Sequence, residues 1–134
     1  MKPRATINEL LEEARQGLQR LDAEAALAAQ QGGAIVIDTR SDAARAQDGV
    51  IPGAWHYPLS VLEWRLCPSA AEHHNGQVDH DDHVIVVCAH GYSSSLAAAR
   101  LQRLGFHRAT DLIGGFEGWK AAGLPVACAA SQAS

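Results

Sequence analysis

VIVVCAHGYSSSLAAARLQRLG, residues 84–105, divides into three parts with different physical grammar. Val84 to Val87 is a β-branched apolar run of strand length, the kind a sheet buries on both faces. From Ser94 onward the leucines and alanines suit a helix, with serine at its start and Gly105 after its end. Only Cys88, Ala89, His90, Gly91, Tyr92 and Ser93 remain to join the two. A buried strand that passes through a short loop into a helix is the repeating unit of an α/β fold with parallel strands.

The same alternation extends in both directions. Thr6 and Glu9 have capping-box spacing, and Ile7, Leu10, Leu11, Ala14, Leu18 and Leu21 recur at helical intervals, which predicts an amphipathic helix over about residues 7–20. Asp22 caps a second, alanine-rich helix, AEAALAAQ, that Gly32 and Gly33 end. AIVID at 34–38 predicts a buried strand, and Thr110 to Ile113 a further short one. After Gly114 and Gly115 a last helix is expected over about 116–122, closed by Gly123 and Pro125. The whole reads as a central parallel sheet of four to five strands with helices on both faces.

Residues 68–83, PSAAEHHNGQVDHDDH, are polar and without period, and are read as a surface loop. His73, His74, His80 and His83 with Asp79, Asp81 and Asp82 lack the i, i+4 spacing that fixes ligands in helical zinc motifs, so no metal is expected there.

At 134 residues the chain suits one core, and 47% hydrophobic with 19% charged residues is ordinary globular usage. The formal net charge is −4 and the lysines and arginines are scattered, which argues against a nucleic-acid partner. No run approaches the roughly 18 apolar residues of a membrane span. The opening MKPRATINELLEEAR lacks the unbroken apolar stretch of a signal peptide, so a cytoplasmic protein with no membrane partner is expected. Three cysteines, Cys67, Cys88 and Cys128, form no CxxC pair, which argues against a disulfide framework and a structural zinc site.

Cys88 sits where chemistry is favoured, at the carboxyl end of a strand and facing the amino end of a helix. Gly91 permits a tight turn in which successive N–H groups point inward, so the loop is an anion cradle. Such surroundings lower a thiol pKa from its free value of about 8.5 and favour the nucleophilic thiolate. An unreactive packing cysteine is the competing reading, weakened by the glycine and serines around it, which are poor core material. These residues leave the reaction class open.

CAHGYS at 88–93 resembles the six-residue active-site loop of the rhodanese sulfurtransferases, whose first residue is the sulfur-carrying cysteine. VIDTR at 36–40 is similar to that family's strand ending in Asp-x-Arg, and GVIPGA at 49–54 to its Gly-His-Ile-Pro-Gly-Ala. DLIGGFEGWKAAGLPV at 111–126 resembles the family's closing Leu-x-Gly-Gly-x-x-x-Trp signature. The resemblance spans residues 22–126, leaving 1–21 as an N-terminal helix and 127–134 as a tail. It implies a three-layer α/β/α fold and a sulfurtransferase without cofactor. Cys88 would carry sulfane sulfur as a persulfide, from thiosulfate or a persulfide donor to a thiol, protein or cyanide acceptor. Ala89, His90, Gly91, Tyr92, Ser93 and Ser94 would form the anion site. The alternative is a carrier module that docks a partner and relays or senses persulfide without turnover.

Two positions depart from the family pattern: Ser93 stands where arginine is frequent, and Val50 replaces the histidine. The related cell-cycle phosphatases use a longer loop with an arginine six residues after the cysteine, where this chain has Ser94. Arg45 lies in a stretch that some sulfurtransferases use to bind the donor anion, and is the candidate substrate cation, with an exposed arginine on a helix surface as the competing reading. Asp38 and Arg40 are expected to organise the fold around the site. Trp64 and Trp119 are read as core, with Trp64 and Arg65 at the pocket mouth as the competing reading. His90 either stabilises a bound anion or faces solvent. Cys128 is expected to be exposed in the tail, and Cys67 is without assigned role.

Overall fold

The computed structural model of the chain describes residues 3–70 and 78–129. Four strands, β1 (Ile35–Asp38), β2 (Trp55–His56), β3 (Val84–Val87) and β4 (Thr110–Asp111), form one sheet in the order β2-β1-β3-β4. Every neighbouring pair is parallel. Six α-helices accompany them: α1 (Ile7–Gln16), α2 (Ala23–Gln31), α3 (Asp42–Asp48), α4 (Leu62–Leu66), α5 (Ser93–Arg103) and α6 (Gly115–Ala121).

Alternation along the central strands divides the interior in two. Ile37, Val84 and Val86 face Leu62 and Leu66 of α4 and Ala97, Ala98 and Leu101 of α5. Val36, Ile85 and Val87 face Ala23 and Ala26 of α2 and Phe116 and Trp119 of α6. The result is the three-layer α/β/α architecture with helices on both sheet faces. β1 and β3 run level, Asp38 opposite Val87, so that Cys88 leaves the sheet beside Thr39 and Arg40. Thr39 fixes that junction by donating its N–H and its hydroxyl to the Val87 carbonyl, at 2.9 and 3.0 Å.

Several expectations need correction. The first helix has its Thr6–Glu9 capping box but stops at Gln16, because Gly17 takes the C-cap position. Ile7 and Leu10 are exposed, Leu18 is buried beyond the helix, and Leu21 forms a one-residue parallel bridge to Leu112 at the β4 edge. Trp64 is not core but 53% exposed. In the short helix α4, Leu62 and Leu66 at i, i+4 take the buried face and turn the intervening Trp64 outward. Trp119 is core as expected, its indole N–H donating to the Pro125 carbonyl at 2.8 Å.

Of the expected 68–83 loop, residues 71–77, including His73 and His74, lie outside the described residues. In its later part Asp79, His80 and Asp81 are exposed, as expected of a surface loop, and one apolar residue anchors it. Val78 is buried in the α5-side core, and the His80 ring lies 4.7 Å from that of Phe106. Among the described residues no group of three metal-ligating side chains converges, and no helix is long and apolar enough to cross a membrane. Past Pro125 the chain pairs with Val50, which exchanges two backbone hydrogen bonds with Ala127 at 2.8 and 2.9 Å. Cys128 beyond it is exposed.

Candidate active site

The Cys88 side chain is placed by the end of β3 and covered by the turn that follows, leaving the residue 7% exposed. Gly91, at φ +85°, reverses the chain so that its own N–H donates to Cys88 Sγ at 3.1 Å. Its Cα also lies against backbone: a Cβ there would meet the Gly114 nitrogen at 2.9 Å and the Leu112 oxygen at 3.1 Å. Gly115, at φ +61°, approaches the loop from below, and a Cβ on it would collide with the Cys88 carbonyl oxygen and stand 2.7 Å from the Gly91 nitrogen. The glycine pair of the closing signature therefore seats the cysteine loop by backbone contact.

The carbonyls of Cys88, Ala89 and Gly91 are each engaged by donors other than the thiol. The Phe116 N–H, at the start of α6, donates to the Cys88 carbonyl at 2.8 Å, and the Glu117 N–H donates to Ala89 at 3.1 Å. The Gly91 carbonyl accepts from two guanidinium groups, Arg15 at 2.8 Å and Arg20 at 3.1 Å. With these acceptors engaged, donors are left for the thiol.

Burial by itself pushes the Cys88 thiol up, but hydrogen bonds from the Ser94 and Ser93 side chains and from the Ser94 and Gly91 amides outweigh it, and the thiol titrates below its ordinary value. The amide cradle expected from sequence is thus represented by Gly91 and Ser94, with two hydroxyls added. Ser94 Oγ lies 3.3 Å from Cys88 Sγ and donates to Asp111 Oδ2 at 2.7 Å. Ala89 and Ser93 are half-buried, whereas His90 and Tyr92 point their rings to solvent, with centroids 6.4 Å apart.

Asp111, Ser95, Arg15 and Arg20 are the participants that sequence reading missed. Asp111 is fully buried and accepts from Ser94, Ser95 and both forks of Arg20, the last at 2.8 and 3.2 Å. Asp111 opens the quoted closing motif, which is the one signal that could have found it. The arginines sit far away in sequence, on segments that read as solvent-facing.

Arg45 meets Asp38 Oδ2 at 3.3 Å and is largely covered. Asp38 also takes a two-pronged contact from Arg40, at 3.1 and 2.9 Å. Two guanidinium groups thus share one buried carboxylate, leaving a positive charge in excess near the carboxyl end of β1. Arg40 further donates to the Gly49 carbonyl at 2.7 Å and stacks 3.8 Å above the Phe116 ring, the organising part expected of it. An apolar cleft of about 440 Å³ between Trp64, Cys67, Arg103 and Leu104 has no residue of the cysteine loop in its described walls.

The family model for the rhodanese-like domain matches residues 21–122. The chain belongs to the rhodanese-like family. Relatives of this rhodanese-like chain include the thiosulfate sulfurtransferase GlpE of Pseudomonas entomophila, 38% identical over 103 residues, covering 76% of this chain and 84% of that protein. The GlpE of Actinobacillus pleuropneumoniae strain JL03 is 46% identical over 50 residues, 37% of this chain, which thereby spans 46% of that relative's length. Among solved structures, a Rhodopseudomonas palustris protein described as of unknown function and a possible tyrosine phosphatase superposes with TM-score 0.84 at 28% identity, covering 94% of this chain and 97% of that one.

Proposed function

We propose that this rhodanese-like protein is a sulfurtransferase that moves sulfane sulfur through a persulfide on Cys88. The observation that carries the reading is a buried thiol at the head of a six-residue loop, with the Gly91 amide donating to its sulfur and the Ser94 hydroxyl 3.3 Å away, in surroundings that lower its pKa. Relatives named thiosulfate sulfurtransferase support it. The Cys88 thiolate attacks the outer sulfur of thiosulfate, the S–S bond breaks, and sulfite leaves with the bonding pair. The terminal sulfur of the resulting Cys88–S–S⁻ lies toward the donors that held the thiolate, which suits an anion. A thiolate or cyanide then attacks that sulfur, the new S–S bond breaks, and Cys88 is regenerated as thiolate. The excess charge of Arg45 and Arg40 on Asp38 supplies the attraction for the donor anion.

The description of the Rhodopseudomonas palustris neighbour raises phosphoester hydrolysis as a second reading. A phosphoryl group needs a bidentate cation in the loop, and Cys88 to Ser94 contains none. Intact mass after incubation with thiosulfate should show one added sulfur atom that cyanide removes. Cys88→Ser should gain none, and Arg45→Ala should load more slowly from thiosulfate than from an uncharged polysulfide. Phosphate release from p-nitrophenyl phosphate without sulfur loading would replace this reading by the second one.

A further inference from the structure

Arg15 and Arg20 precede the residues that match the family model, yet both end on one atom of the cysteine loop, the Gly91 carbonyl oxygen. Arg20 also donates to Asp111 through Nε and Nη2. Arg15 binds Ser95 Oγ through Nε at 3.0 Å, and no described carboxylate forms an ion pair with it. α1 thus spends its best hydrogen-bonding side chain on the loop beneath the sulfur.

The contact has a specific physical consequence. Gly91 has no side chain to pack and turns about its own φ and ψ at little cost, so its peptide groups are placed by their hydrogen bonds. The Gly91 N–H donates to Cys88 Sγ at 3.1 Å, and a glycine left free to turn would carry that donor off a sulfur that must hold negative charge. Amides of α6 already hold the Cys88 and Ala89 carbonyls. Gly91 is held through its own oxygen by two charge-assisted bonds, each about twice as strong as a neutral one.

We propose that Arg15 and Arg20 are positioning residues, a clamp that holds Gly91 by its carbonyl so that its N–H stays on Cys88, and that makes α1 and the segment after it part of the reactive site. The clamp is read from geometry, and its use in catalysis rests on the sulfur-transfer function proposed above. Neither arginine touches the sulfur; both act through the loop.

Arg20→Ala would strand the buried Asp111, so the test rests on Arg15. In a Cys67→Ser, Cys128→Ser background, the rate of Cys88 alkylation by iodoacetamide is followed against pH. Arg15→Ala should move the midpoint upward by about half a unit, equivalent to roughly threefold slower alkylation below the midpoint. Arg15→Lys, which keeps one charged donor, should recover most of the shift. Gln102→Ala serves as the control, because Gln102 ties Gly17 and Ala109 together without touching the loop. An unmoved midpoint in Arg15→Ala, or an equal shift in Gln102→Ala, would overturn the clamp. Alkylation needs no sulfur donor, so the two readings fail separately. A shifted midpoint in a protein that never loads sulfur would sink the transferase and keep the clamp, and normal loading with no shift would do the reverse.

Discussion

Ser94 carries a conflict that its surroundings resolve. It is fully buried and has a single hydroxyl hydrogen, which points at Asp111 Oδ2 at 2.7 Å while its oxygen faces the Cys88 sulfur. Once Cys88 ionises, the sulfur accepts instead of donating. The Ser94 hydrogen can then turn to it, because Asp111 Oδ2 keeps Ser95 at 2.8 Å and Arg20 at 3.2 Å. Deleting the hydroxyl removes a donor from the anion but none from the neutral thiol, so Ser94→Ala should raise the Cys88 pKa. The thiolate is the reactive form, and the loading rate should therefore fall at neutral pH and recover in alkaline buffer. A pH profile of the sulfur-loading rate checks the sign. Little of this was legible in sequence beyond Cys88 and its loop. The bonds from Asp111 to Arg20 and from Gly91 to Arg15 join residues far apart in the chain, where no period or spacing connects them.

The elements that sequence revealed are those with long apolar runs or paired caps. β3 and α5 were legible because VIVV and the serine-to-glycine frame leave little alternative, and α2 because Asp22 caps it through the Ala25 N–H at 2.8 Å. β2 was not, since two residues, Trp55 and His56, carry no alternation to read. Trp64 was misplaced because a five-residue helix leaves room for one buried pair, and Leu62 with Leu66 occupied it. The junction of β4 with α6 makes its own prediction. Gly115→Ala adds a methyl against the Cys88 carbonyl in a left-handed conformation, and neither backbone can yield cheaply. Chemical denaturation should show a loss of about 2–4 kcal/mol, and the surviving protein should alkylate at Cys88 with a raised midpoint. An exposed glycine with open space around it, Gly33 at the end of α2, has no such neighbour.

At the scale of the molecule, stability depends on pH through a partly buried histidine. His83, directly before β3, is partly buried and faces the charge of Arg108, and both effects hold its imidazole below the usual titration range. The native state therefore keeps His83 neutral while the unfolded chain protonates it at the ordinary value. Its contribution is complete above the unfolded pKa and is lost as the pH falls through that value toward the depressed one. The urea midpoint should drop between pH 7 and pH 5, and His83→Gln should make that drop shallower.

The sheet contains no hairpin: each strand pairs in parallel with a neighbour reached only through a long connection. Its contacts are accordingly non-local, a topology whose loop-closure entropy must be met before the pairings form. The groups that hold the Cys88 loop in place come from Arg15, Arg20, Asp111 and Phe116, before and after it in the chain. No fragment that folds early can assemble them, so a growing or half-folded chain carries an ordinary, sluggish thiol. Reactivity at Cys88 thus arrives only with completion of the fold, and the cysteine doubles as a chemical clock for it.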